Sequence, residues 1–118
     1  MADAALFISW GPAVYGREQQ ALALFGEAMT YYGQLQERGE IASFEPIVIE
    51  PHGGALVGCL LIRGEREYLD AVRASGGFGR ITKRALLLVT HYRVVDAHIG
   101  EGLVRWFAGF REEVAQLP

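Results

Sequence analysis

Two stretches, ALVGCLLI at residues 55–62 and ALLLV at residues 85–89, decide how this chain is read. Each is a strand-length apolar run without the apolar/polar alternation of a sheet that keeps one face wet, so both faces of such strands must be covered. The rest of the chain supplies two or three helices, enough for one face of a small sheet. A second subunit on the other face is the expected solution, which makes a homodimer through the sheet face the expected assembly.

The chain has 118 residues, 51% of them hydrophobic and 21% charged, with net charge -3 and a pI near 5.6. That length supports one domain over residues 1–118, large enough to fold without a disulfide or a metal. The acidic balance gives no electrostatic footprint for nucleic acid. Charge is uneven: residues 63–93 hold seven basic and three acidic side chains, a local +4, which leaves -7 elsewhere. A solvated surface accounts for this as well as an anion-facing side does. The lone Cys59 has no intrachain partner and suits a reducing cytoplasm. No basic leader followed by an apolar stretch opens the chain, and no run approaches a membrane span, so a cytoplasmic protein without membrane contact is expected.

Residues 4–10 read as a strand stopped by Gly11-Pro12. Over residues 17–38 the apolar side chains Ala21, Leu24, Phe25, Ala28, Tyr31, Tyr32 and Leu35 fall on one helical face, and Gly39 follows as a cap. Residues 41–50 form a second strand whose Pro46 places it at a sheet edge or at a bulge. Pro51-His52-Gly53-Gly54 is a hairpin turn into a third strand at 55–63. A second helix at 65–74 presents Tyr68, Leu69 and Val72 on one face, Ser75-Gly76-Gly77 ends it, and residues 79–84 are ambiguous. A fourth strand runs from 85 to about 95. Residues 101–117 are an amphipathic helix with Leu103, Phe107, Phe110, Val114 and Leu117 on one seam, and Trp106 and Val104 widen it enough to touch a partner.

Strand, helix, strand, strand, helix, strand with right-handed crossovers is an α+β, ferredoxin-like βαββαβ antiparallel sheet, here with an extra C-terminal helix. The length, this order, the doubly apolar strands and the aromatic last helix resemble the dimeric α+β barrel superfamily, which includes antibiotic-biosynthesis monooxygenases and YCII-related proteins. The resemblance implies two sheets packed face to face. It is one of pattern over nearly the whole chain and matches no residue signature, so it transfers no catalytic residue.

Candidate chemistry is sparse. His52 in the glycine-rich turn, with Glu45 or Glu50 near in sequence, could serve as a general base, or simply be a polar turn residue. His91 and Tyr92 have opposite strand parity, so one of them faces a buried layer, and a satisfied core or interface histidine competes with a base at His91. Asp96 and His98 share a strand side, as a carboxylate-oriented imidazole or as a solvated strand end. Trp10, Tyr15 and Tyr92, with Glu45, could line an apolar pocket between sheet and helices, although such aromatics also serve packing. The three histidines lack metal-site spacing, so no metal is expected. Residues 76–80 follow a helix and lack a Gly-Lys-Ser/Thr, and no serine has a nucleophile-elbow context, so no nucleotide or other cofactor is expected.

Two functions fit these residues. One is a homodimer binding or transforming a small organic molecule without metal, with His52, Glu45 and His91 as its chemical groups and Trp10, Tyr15 and Tyr92 as its contacts. The other is a structural or regulatory module whose dimer and aromatic last helix are the function.

Overall fold

A computed structural model, described here for residues 2–118, contains four strands and four helices. In chain order they are β1 (Ala4–Trp10), α1 (Glu18–Glu37), β2 (Ser43–Val48), β3 (Gly58–Gly64), α2 (Arg66–Ala74), α3 (Gly76–Leu88), β4 (Arg93–His98) and α4 (Gly100–Gln116). The strands form one antiparallel sheet in the order β2-β3-β1-β4, the ferredoxin-like arrangement expected from the βαββαβ order. Pro46 lies on β2, an edge strand, where a residue without an N–H can face away from the ladder.

The pleat sorts the side chains. Leu6 and Ile8 of β1 pair with Ile62 and Leu60 of β3, and all four are buried with Leu24, Tyr32 and Leu35 of α1, Leu69 and Val72 of α2, and Phe78, Ile81 and Ala85 of α3. Phe44 and Val94 flank this core from the two edge strands. The alternate positions Phe7, Ile47, Leu61 and Val95 point away from the helices, among Glu45, Arg63 and Arg93. The second sheet face is thus apolar at its centre and charged toward its margins.

The run at residues 85–89 is not a strand. Ala85 to Leu88 are the end of α3, Val89 follows as its extended cap in an isolated bridge to Ala13, and β4 begins only at Arg93. Phe78, Ile81 and Ala85 recur at spacings of three and four and are the buried residues of that helix, while Leu86 and Leu87 are 59% and 72% exposed. Helix start is set by Ser75, whose Oγ accepts from the Phe78 N–H at 3.4 Å and donates to the Val72 carbonyl at 2.6 Å, so the Tyr31 hydroxyl, 3.2 Å away, donates to it. One serine therefore ends α2, caps α3 and ties both to α1. At Gly77 a Cβ would stand 2.7 Å from the Tyr31 ring, which is why the glycine is compatible with this junction.

Two further boundaries differ from expectation. The β2–β3 connection spans residues 49–57 instead of a four-residue turn, although Ile49 N–H still bonds the Val57 carbonyl at 2.8 Å. His91 is outside β4, in a bend with φ of 55°. Of the opposed pair it is Tyr92 that packs against the core, and His91 is exposed.

Helix α4 stands apart. Only its Gly102 is buried, and Leu103, Trp106, Phe107, Phe110 and Val114 are all exposed to a large extent. Trp106 is 5.4 Å from Phe110 in a stacked pair and 5.2 Å from Phe107 edge-on, while Arg105 pairs with Asp3 at the helix start. The radius of gyration, 16.2 Å, exceeds the roughly 13–14 Å of a compact chain this long, and the longest dimension is 53 Å.

A candidate ligand-binding cavity

The core leaves an apolar cavity between the sheet and the α1–α3 pair, with about 500 Å³ of empty space including its mouth. Its floor is Ile8 and Trp10 of β1 with Leu60 of β3. Leu24, Phe25, Ala28, Met29 and Tyr32 of α1 form one wall, and Ile81 and Ala85 of α3 with Val89 and Tyr92 form the other. The volume open to a guest inside it is about 80 Å³, well below the roughly 300–1,000 Å³ of drug-sized ligand sites. Trp10 meets Phe25 with ring centroids 6.0 Å apart and planes at 60°, and Gly58 admits the indole, since a Cβ there would lie 2.6 Å from Trp10 Cζ2.

Backbone bonds place Trp10 and Tyr92. Gly11 N–H donates to the Thr90 carbonyl at 2.7 Å, and the Pro12 carbonyl accepts from both Thr90 N–H at 2.9 Å and Thr90 Oγ1 at 2.8 Å. The segment after β1 is thereby tied to the segment before β4. Across the top, Glu27 of α1 accepts from Arg80 and Arg84 of α3, the second at 3.1 Å, and these exposed pairs contribute little stability individually but fix how the two helices face each other.

Two tyrosines, Tyr32 and Tyr92, stand among the lining residues. Tyr32 is 1% exposed, and its hydroxyl has no hydrogen-bond partner among the described residues. Burial pushes its phenol well above the usual tyrosine range, with the Tyr92 and Tyr31 phenols adding to the shift. Burial raises Tyr92 also, tempered by hydrogen bonding from the neighbouring Thr82 hydroxyl, which is not among the residues lining the cavity.

Of the residues singled out in the sequence, Trp10 and Tyr92 line this cavity. Tyr15 is 97% exposed and does not. Glu45 is on the sheet face turned away from the helices, where it accepts from Arg63 at 3.2 Å across β2 and β3. His52 is exposed in the β2–β3 loop. Its Nδ1 accepts from Gly54 N–H at 3.2 Å, so Nε2 carries the proton and donates to the Leu56 carbonyl at 3.1 Å. His91 borders a separate shallow depression with Ser9, Leu56 and Arg93. No hydrogen bond or ion pair among the described residues joins Glu45, His52 and His91. Asp96 is taken by Arg66 and Arg73 of α2, each at 3.1 Å, while His98 lies 6.0 Å from the Trp106 ring. Among the described residues no group of three or more His, Cys, Asp or Glu could hold a metal ion. No helix among them is long and apolar enough to cross a membrane.

Sequence reasoning placed Tyr32 on the buried stripe of its helix but not on the cavity wall, and only the three-dimensional arrangement shows that its hydroxyl has no partner among the described residues.

No known family pattern and no curated protein sequence matches the chain. Solved structures do match in fold. A dimeric protein of unknown function and ferredoxin-like fold from Bacteroides fragilis superposes with a TM-score of 0.60 at 10% identity, over 81% of this chain and 96% of that one. PA3566 from Pseudomonas aeruginosa superposes with a TM-score of 0.60 at 13% identity, over 83% and 94%. At these identities the likeness is one of fold.

Proposed function

We propose that this protein is a homodimer of the dimeric α+β barrel type that binds a small organic molecule in the cavity of each subunit, in the cytoplasm that a single unpaired cysteine suits. The observation that carries the ligand reading is the cavity itself: a small apolar chamber between sheet and helices, walled by the rings of Trp10, Phe25, Tyr32 and Tyr92. Apolar walls with a few placed polar groups are the usual make-up of such sites. The homodimer reading is supported by the second sheet face, whose Phe7, Ile47, Leu61 and Val95 form an apolar centre, and by the dimeric Bacteroides fragilis protein of like fold. His52, Glu45 and His91 are separate groups here, so any chemistry they perform would draw on a second subunit or on separate steps.

Thermal-shift screening with a library of neutral and charged fragments tests the ligand reading. Stabilising compounds should lose their effect in Ala28→Trp, which fills the chamber, and keep it in Tyr15→Ala. A library without a single stabilising compound, or hits indifferent to Ala28→Trp, would remove the basis for a pocket.

A specific observation also favours the interaction-module reading. Trp106 is 45% exposed and stacks with aromatic neighbours on a helix that the rest of the chain barely touches. If α4 is the functional surface, its indole should be readily quenched by a soluble quencher in the free protein and shielded in the complex.

A further inference from the structure

The chamber is small and apolar throughout, and each property limits what can occupy it. Its inner end is built from buried side chains, Ile8 and Leu60 of the sheet with Leu24, Ala28 and Ile81 of the helices. The half-buried Trp10, Phe25 and Met29 complete the wall, and of these the unbranched, flexible Met29 is the one best able to swing aside for a guest.

None of the described residues on the wall is charged at neutral pH. An ion entering would give up its hydration with no counter-charge to replace it, so charged ligands are selected against. Water is poorly served as well, since a buried water needs about two to four polar partners and nearly all of the wall's exposed surface is carbon. Such a chamber favours an apolar guest. Size sets the other limit: an apolar cavity of roughly 150 Å³ takes benzene, whereas about 80 Å³ is open here, so one ring with its outer edge in the mouth is the most that fits. Two fused rings would have to push packed helix and sheet side chains apart, at the cost of an overpacked core.

Building on the ligand-binding reading above, we infer that the chamber takes a single six-membered ring of a neutral apolar molecule, an aromatic hydrocarbon in the simplest case, seated among the rings of Trp10, Phe25, Tyr32 and Tyr92. Because no carboxylate, imidazole, thiol or amine stands on the described wall, the chamber holds such a guest without acid–base or nucleophilic chemistry on it.

Three probes separate size from charge: benzene, naphthalene and the benzoate anion. Binding is read from the methyl NMR signals of Ile8, Met29 and Ile81 in the full-length protein. Benzene should shift these signals saturably, naphthalene should bind at least about tenfold more weakly, and benzoate should move none of them. Ile81→Ala, which widens the chamber, should bring naphthalene to within about threefold of benzene, read from Ile8 and Met29. Ala28→Leu, which fills it, should abolish the benzene shifts, and Leu22→Ala at an exposed position of α1 should leave them unchanged. Should Ala28→Leu fail to fold, the gain of naphthalene in Ile81→Ala decides alone. Naphthalene binding the wild type as tightly as benzene, binding of benzoate, no gain of naphthalene in Ile81→Ala, or benzene shifts that persist in folded Ala28→Leu would each overturn the single-ring assignment while leaving a pocket in place. If benzene moves none of the signals, the inference falls. If the fragment library also yields no stabilising compound, the pocket reading falls with it.

Discussion

Tyr32 and Tyr92 make this chain sensitive to alkali in a calculable direction. Both phenols are raised by burial, so between the unfolded value near 10 and their higher folded values the native state holds protons that the unfolded chain has lost. Their contribution to stability is complete below about pH 10 and declines above it, by about 1.4 kcal/mol per pH unit for each phenol. Urea unfolding at stepped alkaline pH should show this decline, and Tyr32→Phe should make it shallower. Phenolate absorbance from Tyr32 should rise only as the protein unfolds. Gly58 makes a second residue-level case: Gly58→Ala would press a Cβ against the Trp10 ring and the Ile47 carbonyl, and should destabilise by about 1–3 kcal/mol in denaturant titrations while shifting the Trp10 emission. The aromatic lining was legible in the sequence at Trp10 and Tyr92, because both sit at ends of apolar segments. Tyr32 was not, since a hydroxyl on a buried stripe looks the same in sequence whether it finds a partner or not.

Helix α3 shows where sequence patterning misleads about an element. Its last residues, Ala85 to Leu88, run on into Val89, and a five-residue apolar run has no period of its own to distinguish strand from helix. The deciding signal lay upstream, in Ser75 and the 78, 81, 85 spacing, but Gly76, Gly77 and Gly79 made that segment look like a loop. Paired substitutions separate the two assignments. Ile81→Ala should cost about 2–4 kcal/mol, whereas Leu87→Ser should change stability by less than about 0.5 kcal/mol, as expected for the outer side of a helix and not for an interior strand. Ser75→Ala should cost about 1–2 kcal/mol, since the hydroxyl caps α3 and also joins α2 to Tyr31. By contrast α1, β1 and the β2–β3 pairing were legible, because a long 3.6-residue stripe and β-branched or aromatic runs bounded by glycine and proline admit few alternatives.

At the scale of the whole molecule, the sheet topology follows from the element order, whereas the open stance of α4 could not be read from an amphipathic pattern that fits intrachain and intersubunit packing equally well. The apolar centre of the second sheet face carries the assembly prediction. Leu61→Lys combined with Val95→Lys should leave the fold intact by circular dichroism yet shift the protein from dimer to monomer in sedimentation, because lysine ammonium groups would have to be desolvated at the shared face. A wild-type protein that sediments as a monomer at micromolar concentration would contradict the homodimer. The same topology has a consequence for how the chain is made. The earliest of the four strands to be made, β1, ends up in the middle of the sheet, with Ala4 opposite both Gly64 and His98. One side of β1 waits for β3 and the other for β4, the last of the four, so the sheet closes only once β4 has been made. Until then Leu6 and Ile8 have no complete surroundings, and pairings so distant in sequence slow the closing of the sheet.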